Sequence, residues 1–134
     1  MLKNSKGIIV GLVVGFLVIA TIEAIGHFFY PTPKDFDFEN EELLKAFIHQ
    51  LPLPAFLFIN LAHGIGTFTA SLVSNKVSKS IGPIGLLVST FFLSITILNL
   101  VVIPYHPIWF VITDILFTFI GGWTAFKLTL KSKK

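Results

Sequence analysis

Hydrophobic positions along this chain are gathered into four long runs, separated by short polar segments. The runs cover residues 7–29, 54–74, 81–103 and 107–128. Each approaches the about 20 residues that a helix needs to cross about 30 Å of hydrocarbon. Backbone groups in lipid must be hydrogen-bonded within their own segment, so each run is predicted to be a transmembrane helix. The pattern predicts an all-α, polytopic membrane protein in which residues 1–134 form a single four-helix domain.

A fifth segment, residues 41–51, has the pattern of a short amphipathic helix. Its leucine, isoleucine and phenylalanine side chains fall on one helical face, opposite charged side chains and a histidine. Asn40 can cap its first turn, where Glu41 and Glu42 suit the positive end of the helix dipole. Two interpretations stay open: a connector that rests its apolar face on lipid, which is favoured, or a lid over the mouth of the bundle.

The lysines predict how the helices are oriented. Eight of the ten would lie on one side of the membrane: Lys3, Lys6, Lys76, Lys79, Lys127, Lys131, Lys133 and Lys134. The other side has only Lys34 and Lys45, among five acidic residues. Because lysine accumulates on the cytoplasmic side, both termini are predicted to be cytoplasmic in a multi-pass protein of the inner membrane. The first run continues to residue 29 with no clean cleavage site after it, which favours a retained helix over a signal peptide.

Composition supports lipid as the solvent and excludes several chemistries. The chain is 54% hydrophobic and 13% charged, whereas soluble domains are about a quarter charged. The absence of cysteine excludes thiol catalysis, thiolate metal sites and disulfides. Nucleotide-binding, zinc-peptidase and serine-hydrolase motifs are also missing, so the sequence indicates no catalytic residue, cofactor or metal ligand set. The excess of lysine is explained by membrane orientation, and no nucleic-acid partner is expected.

Small residues recur every four positions on the first two runs. They are Gly7, Gly11 and Gly15 on the first, and Ala62, Gly66 and Ala70 on the second. Small residues let helix backbones approach closely in lipid, so these are candidate packing positions. The pattern fits contact within one bundle as well as homo-oligomerisation.

Polar side chains within the apolar runs are the candidate functional residues. They are Glu23, His27, Asn60, His63, Asn99 and Asp114. An ionisable group at membrane depth costs about 2.5–3.5 kcal/mol on insertion scales, so each is expected to have a partner. With the predicted orientation and a rise of about 1.5 Å per residue, all but His27 lie about 6–14 Å from the outer ends of their helices. His27 lies at about 3–4 Å.

A purely structural interpretation of these polar groups also remains open. Glu23 and His27 are four residues apart, the spacing of a local hydrogen bond on one helix, and Asp114 could form a single interhelical pair with His63 or Asn99. The convergence of polar groups from four helices in one layer nevertheless predicts a site in the outer half of the bundle.

The stretch from Glu23 through Gly26 and His27 to Tyr30-Pro31-Thr-Pro33, followed by Leu51-Pro52 and His63-Gly-Ile-Gly66, resembles a pattern that contains an E-x-x-G-H-x-x-Y-P-x-P motif. That motif ends the first helix in a group of small bacterial four-helix membrane proteins, most of them without a known activity. The resemblance covers roughly the first half of the chain and implies the four-helix architecture. The E-x-x-G part is also similar to small multidrug-resistance transporters, whose first helix has a proton-coupled glutamate. Those proteins lack the long acidic loop and an equivalent of Asp114.

The leading functional hypothesis is a small bundle in the lipid bilayer that binds or moves an ion, proton or small solute through the outer-half polar groups. Glu23 would be the proton- or cation-binding acid, Asp114 the second charged group, and His63 and His27 modulators. The alternative is an accessory or structural membrane subunit whose polar groups only fix helix packing. A membrane-embedded enzyme ranks third.

Overall fold

The computed structural model of the chain describes residues 2–80 and 82–131. Within these residues the structure is helical, without strands. The helices are α1 (Leu2–Phe29), α2 (Glu41–Gln50), α3 (Leu53–Ser78), α4 (Pro83–Val102) and α5 (Ile108–Lys131). Four of them, all except α2, are long and apolar enough to cross a membrane. The predicted all-α, four-helix membrane architecture with a short fifth helix is confirmed.

Three of the long helices continue beyond the apolar runs that predict them. At one end of the molecule α1 begins at Leu2, α3 continues to Ser78, and α5 reaches Lys131. Hydropathy marks only the part of a helix that needs lipid, whereas the hydrogen-bonded backbone continues into polar sequence. The start predicted for the third run, residue 81, lies outside the described residues, as do Lys133 and Lys134 of the orientation argument.

The third helix is the centre of the bundle, because α1, α4 and α5 all pack against it. Small residues make the α1–α3 contact very close. A Cβ on Gly11 would lie 2.7 Å from the carbonyl oxygen of Ala70, and one on Gly7 would lie 2.7 Å from that of Ser74. One on Gly15 would lie 2.7 Å from the Ala70 Cβ. These distances are too short for a side chain, so the α1 glycines are required by contact within the chain.

The small residues of α3 are buried in the same bundle. Ala62 and Ala70 are fully buried. A Cβ on Gly66 would lie 3.2 Å from the Gly15 carbonyl oxygen and still closer to the side chain of Ile19. Both sets of small residues therefore face each other across one helix pair.

The amphipathic helix α2 packs against one end of the bundle. Ile48 is 3% exposed and lies in a cluster with Phe56 of α3 and Phe110 of α5. The Tyr105 hydroxyl, in the α4–α5 loop, donates a hydrogen bond to the Glu41 carboxylate. The favoured expectation, an apolar face resting on lipid, fails for Ile48, because that side chain is covered by protein.

The long helices alternate in direction, so the bundle has two chemically distinct ends. We call one the lysine end; it has Lys6, Lys76, Lys79, Lys127 and Lys131. The other, the acidic end, has residues 30–40, α2 and residues 103–107, with five acidic residues. The polar groups within the helices are arranged between these two ends.

Candidate functional site

A histidine on the central helix lies between two carboxylates from two other helices. His63 Nδ1 of α3 is 2.8 Å from Oδ1 and 3.0 Å from Oδ2 of Asp114 on α5. On the other edge of the ring, Nε2 is 3.6 Å from Oε1 of Glu23 on α1. We call this arrangement the carboxylate–imidazole row. It joins three of the four long helices at one depth in the bundle.

The row has a closed end and an open end. Asp114 is 1% exposed and His63 is 8% exposed, whereas the Glu23 side chain retains 38% of its accessible surface. Access to the row is therefore from the Glu23 side, and Asp114 is the group that lies within the protein.

Hydroxyl and amide groups from α3, α4 and α5 surround the closed end. Thr118 Oγ1 donates to the Asp114 carbonyl oxygen (2.8 Å) and lies 3.3 Å from Thr96 Oγ1 on α4. One turn before His63, Asn60 Nδ2 donates to Thr113 Oγ1 at 2.9 Å. Asn60 and His63 are three residues apart on α3 and so share one helical face, which contacts Thr113 and Asp114 of α5.

A cavity of about 200 Å³ adjoins the open end of the row. Glu23, His63, Thr67, Thr96 and Asn99 supply its polar wall. Its volume is enough for several water molecules, each of which occupies about 30 Å³ in the liquid. Thr67 is fully buried, and its Oγ1 has no hydrogen-bond partner among the described residues. A buried hydroxyl of this kind is normally paired, so the wall offers an open polar contact.

Two of the predicted site residues lie at the margin. His27 is exposed, one turn beyond Glu23. The predicted local bond between these two is not formed, since Glu23 reaches across to His63 instead. Asn99 is exposed on α4 and borders the cavity. Glu23, His63 and Asp114 thus form the row, Asn60 supports it, and His27 stands apart.

With a proton on Nδ1, the ring donates to the Asp114 carboxylate, and Nε2 then faces the Glu23 carboxylate at 3.6 Å. The row therefore brings two carboxylates to one imidazole at a depth where charge is unfavourable.

Burial affects the ionisation of His106 in the α4–α5 loop at the acidic end. Its ring packs against Phe110 (centroids 5.0 Å apart) and Phe56 (6.5 Å). This burial lowers its pKa below the ordinary value, although a backbone hydrogen bond with Ile103 and the Asp114 charge act in the opposite direction. In the same loop, the hydrogen bond to Glu41 raises the pKa of Tyr105.

Sequence reasoning missed a second buried polar junction, near the lysine end. Asn75 is 1% exposed. Its Oδ1 accepts a hydrogen bond from the Gly85 N–H (2.7 Å) in the first turn of α4, and its Nδ2 donates to Thr129 Oγ1 of α5 (3.2 Å). We call this the Asn75 junction. The sequence feature that could have indicated this junction is the Gly82-Pro83 start of α4. It has no capping side chain of its own, so an N–H group of the first turn needs a partner from another helix.

Within the part of the chain that the structure describes, no group of three His, Asp or Glu side chains is arranged to hold a metal ion. Comparison of the chain with protein-family models, with curated proteins and with solved structures finds no match. The chemistry of the site is therefore inferred from the geometry of the carboxylate–imidazole row and its cavity.

Proposed function

We propose that the protein binds a proton or small cation at the carboxylate–imidazole row and moves it across the membrane. One observation carries the proposal: a buried imidazole lies between two carboxylates from different helices. Ionisable residues inside membrane spans mark ion pathways and proton relays in many membrane proteins. The adjoining cavity, with its unpaired Thr67 hydroxyl, supports the proposal because it gives Glu23 a polar space to exchange with.

Each residue of the row has a distinct role in this proposal. Glu23 takes up the proton from the cavity and passes it to Nε2 of His63. The imidazole then releases a proton from Nδ1 to Asp114, so each transfer breaks one bond to hydrogen and forms another. His27, exposed at the rim, is a modulator only.

We also propose that the lysine end faces the cytoplasm, in the inner membrane. The support is the distribution of lysine: of the seven lysines whose side chains the structure describes, five lie at this end. Reporter tags at both termini should show a cytoplasmic location, and a tag within residues 35–42 an external one. Any other pattern would reject this orientation.

A second candidate is an accessory subunit whose row only holds helices together. The observation that favours it is that the row joins α1, α3 and α5, as a purely structural contact would. It predicts a stoichiometric protein partner after mild solubilisation, and no flux by the isolated protein.

Reconstitution in vesicles with an internal pH dye, with sodium and potassium gradients as parallel arms, tests the proposal. Glu23→Gln and Asp114→Asn keep side-chain shape and remove charge, and each should reduce flux to the level of protein-free vesicles. Glu42→Gln, the same change on the exposed face of α2, should leave flux at the wild-type level. Wild-type protein with no flux above empty vesicles, or undiminished flux in Glu23→Gln, would reject the proposal.

A further inference from the structure

A larger cavity lies at the lysine end, between the last turns of α3 and α5. Its volume is about 510 Å³. Six of its lining residues are Lys76, Lys79, Ser80, Thr129, Leu72 and Leu128. Its lining begins nine residues after His63, about 14 Å further along α3, and it shares no residue with the carboxylate–imidazole row.

The lining is polar at the rim and apolar below it. Lys76 and Lys79 are exposed at the end of α3, and Leu72 lies one turn before Lys76, about 6 Å deeper along the helix. On α5, Leu128 forms the facing apolar wall. A phospholipid has the same order of chemistry, with a phosphate at the membrane surface and acyl chains below it.

Hydrogen bonds hold the backbone that carries the polar residues of this cavity. Lys79 ends α3 in the left-handed conformation (φ 55°), and its N–H bonds to the carbonyl oxygens of Asn75 and Lys76. Asn75 in turn bonds to Thr129 on the opposite wall. The two helices that form the cavity are therefore held together beneath the lysines.

The two charged side chains of the described lining, Lys76 and Lys79, are both positive. None of the seven acidic side chains of the sequence belongs to this end of the bundle: they are Glu23, Asp35, Asp37, Glu39, Glu41, Glu42 and Asp114. Lys127 and Lys131, in the last turns of α5, add to the field of the two lining lysines. Basic pockets between transmembrane helices are a known type of binding site for phosphate-bearing lipid headgroups.

We infer that this cavity binds the phosphate of an anionic phospholipid, with Lys76 and Lys79 as its counter-ions and an acyl chain along Leu72 and Leu128. Free inorganic phosphate has the same charge chemistry. The lipid is favoured because the apolar wall continues from the lysines toward the hydrocarbon. The inference is independent of the proposed transport.

The probe for the test is short-chain phosphatidylglycerol, added to purified full-length protein and followed by native mass spectrometry. We expect saturable binding of one lipid per chain. Phosphatidylcholine of the same chain length should bind much more weakly, and inorganic phosphate at equal concentration should not displace the lipid. Displacement by phosphate alone would assign the cavity to the free anion and overturn the lipid inference.

Charge removal gives the second arm. Lys76→Gln combined with Lys79→Asn should weaken phosphatidylglycerol binding about thirtyfold, since each lysine near an anionic lipid contributes about 1 kcal/mol. Asn is chosen at 79 because it tolerates the left-handed backbone. The control pair, Lys6→Gln with Lys131→Gln, removes the same charge from the same end but from outside the lining. An equal loss in both pairs would show surface attraction only and would reject the site.

A third arm leaves the charge unchanged. Leu128→Trp should fill the apolar wall and weaken phosphatidylglycerol binding, while Leu130→Trp, at a similarly exposed position of the same helix outside the lining, should not. Tryptophan is well accommodated near membrane interfaces, so both variants are expected to fold. Equal binding by the two variants would contradict the assignment of the acyl chain to this wall.

Discussion

The carboxylate–imidazole row and the Asn75 junction solve one packing problem in two ways. Each ties the central helix α3 to two neighbours through a buried polar side chain. The Asn75 junction is neutral, and its amide oxygen and nitrogen are both paired. The row is ionisable, adjoins a cavity, and has the unpaired Thr67 hydroxyl beside it. One amide is therefore sufficient to join three helices without any ionisable group.

The energies of the two sites support this contrast. A neutral hydrogen bond contributes about 0.5–1.5 kcal/mol net, with no charge to accommodate. An ionisable residue at the centre of a membrane helix costs about 2.5–3.5 kcal/mol. The Asn75 junction shows that a neutral contact can connect these helices, and the proposed transport would account for the more costly ionisable groups at Glu23 and Asp114.

The largest expected effect on stability is at the Asn75 junction. Asn75→Leu leaves the Gly85 N–H and Thr129 without their partner, so we expect the free energy of unfolding to fall by about 3 kcal/mol. Denaturation in mixed micelles measures it. Flux per folded molecule should be unchanged, because the junction is separate from the row. Asn99→Leu, the same change at an exposed position, should alter stability by less than about 0.5 kcal/mol. If the two variants are equally stable, the junction is not the structural contact described here.

A smaller effect on the free energy of unfolding is expected when a buried hydroxyl is removed, and its sign should depend on whether that hydroxyl is hydrogen-bonded. Thr67→Val removes a buried hydroxyl without a protein partner, so the free energy of unfolding should stay constant or rise by up to about 1 kcal/mol. Flux should fall, because the cavity loses a polar contact. Thr118→Val removes a paired hydroxyl and should lower the free energy of unfolding by about 1 kcal/mol. The opposite order of stability would show that Thr67 is paired in the folded protein.

The smallest expected effect is a pH dependence at the acidic end. Burial lowers the pKa of His106, so the neutral ring stabilises the folded state above its ordinary pKa of about 6.5. That contribution is lost as the pH falls through the lower, folded-state value. Amide hydrogen exchange in α2, corrected for intrinsic rates, should therefore accelerate modestly on acidification.

Two histidine variants provide the check. His106→Phe should abolish this pH dependence, whereas His49→Phe, at an exposed position on α2, should retain it. Persistence of the effect in His106→Phe would assign it to another group.

The fold could be predicted from the sequence because lipid imposes a simple rule on length and polarity. The layer that contains Glu23, His63 and Asp114 could also be predicted, because depth follows from helical rise once the chain ends are oriented. The partner of Glu23 could not be predicted. His27 has the right spacing on the same helix, but the rotation of α1 is set by the contact of Gly11 and Gly15 with α3, and that rotation turns Glu23 toward His63.

The Asn75 junction and the position of α2 were missed for related reasons. The apolar run of the second long helix ends at residue 74, so Asn75 falls outside it, although the helix continues to Ser78. An amphipathic face indicates that a surface is covered, but not by what; for Ile48 the cover is Phe56 and Phe110.

The use of the α1 glycines has a consequence for self-association. Gly7, Gly11 and Gly15 all lie against α3 or its neighbours, so the glycine face of α1 is already occupied within the chain. Of the exposed positions on α1, Ile9, Leu17 and Phe28 are bulky, whereas Ala20 and Ala24 are small. Close approach of two copies is left to Ala20 and Ala24, and any pairing through the rest of α1 would have to interdigitate bulky side chains, with the helix axes held further apart. Such an interface would compete directly with lipid tails of similar shape, and its strength would follow the lipid composition of the bilayer.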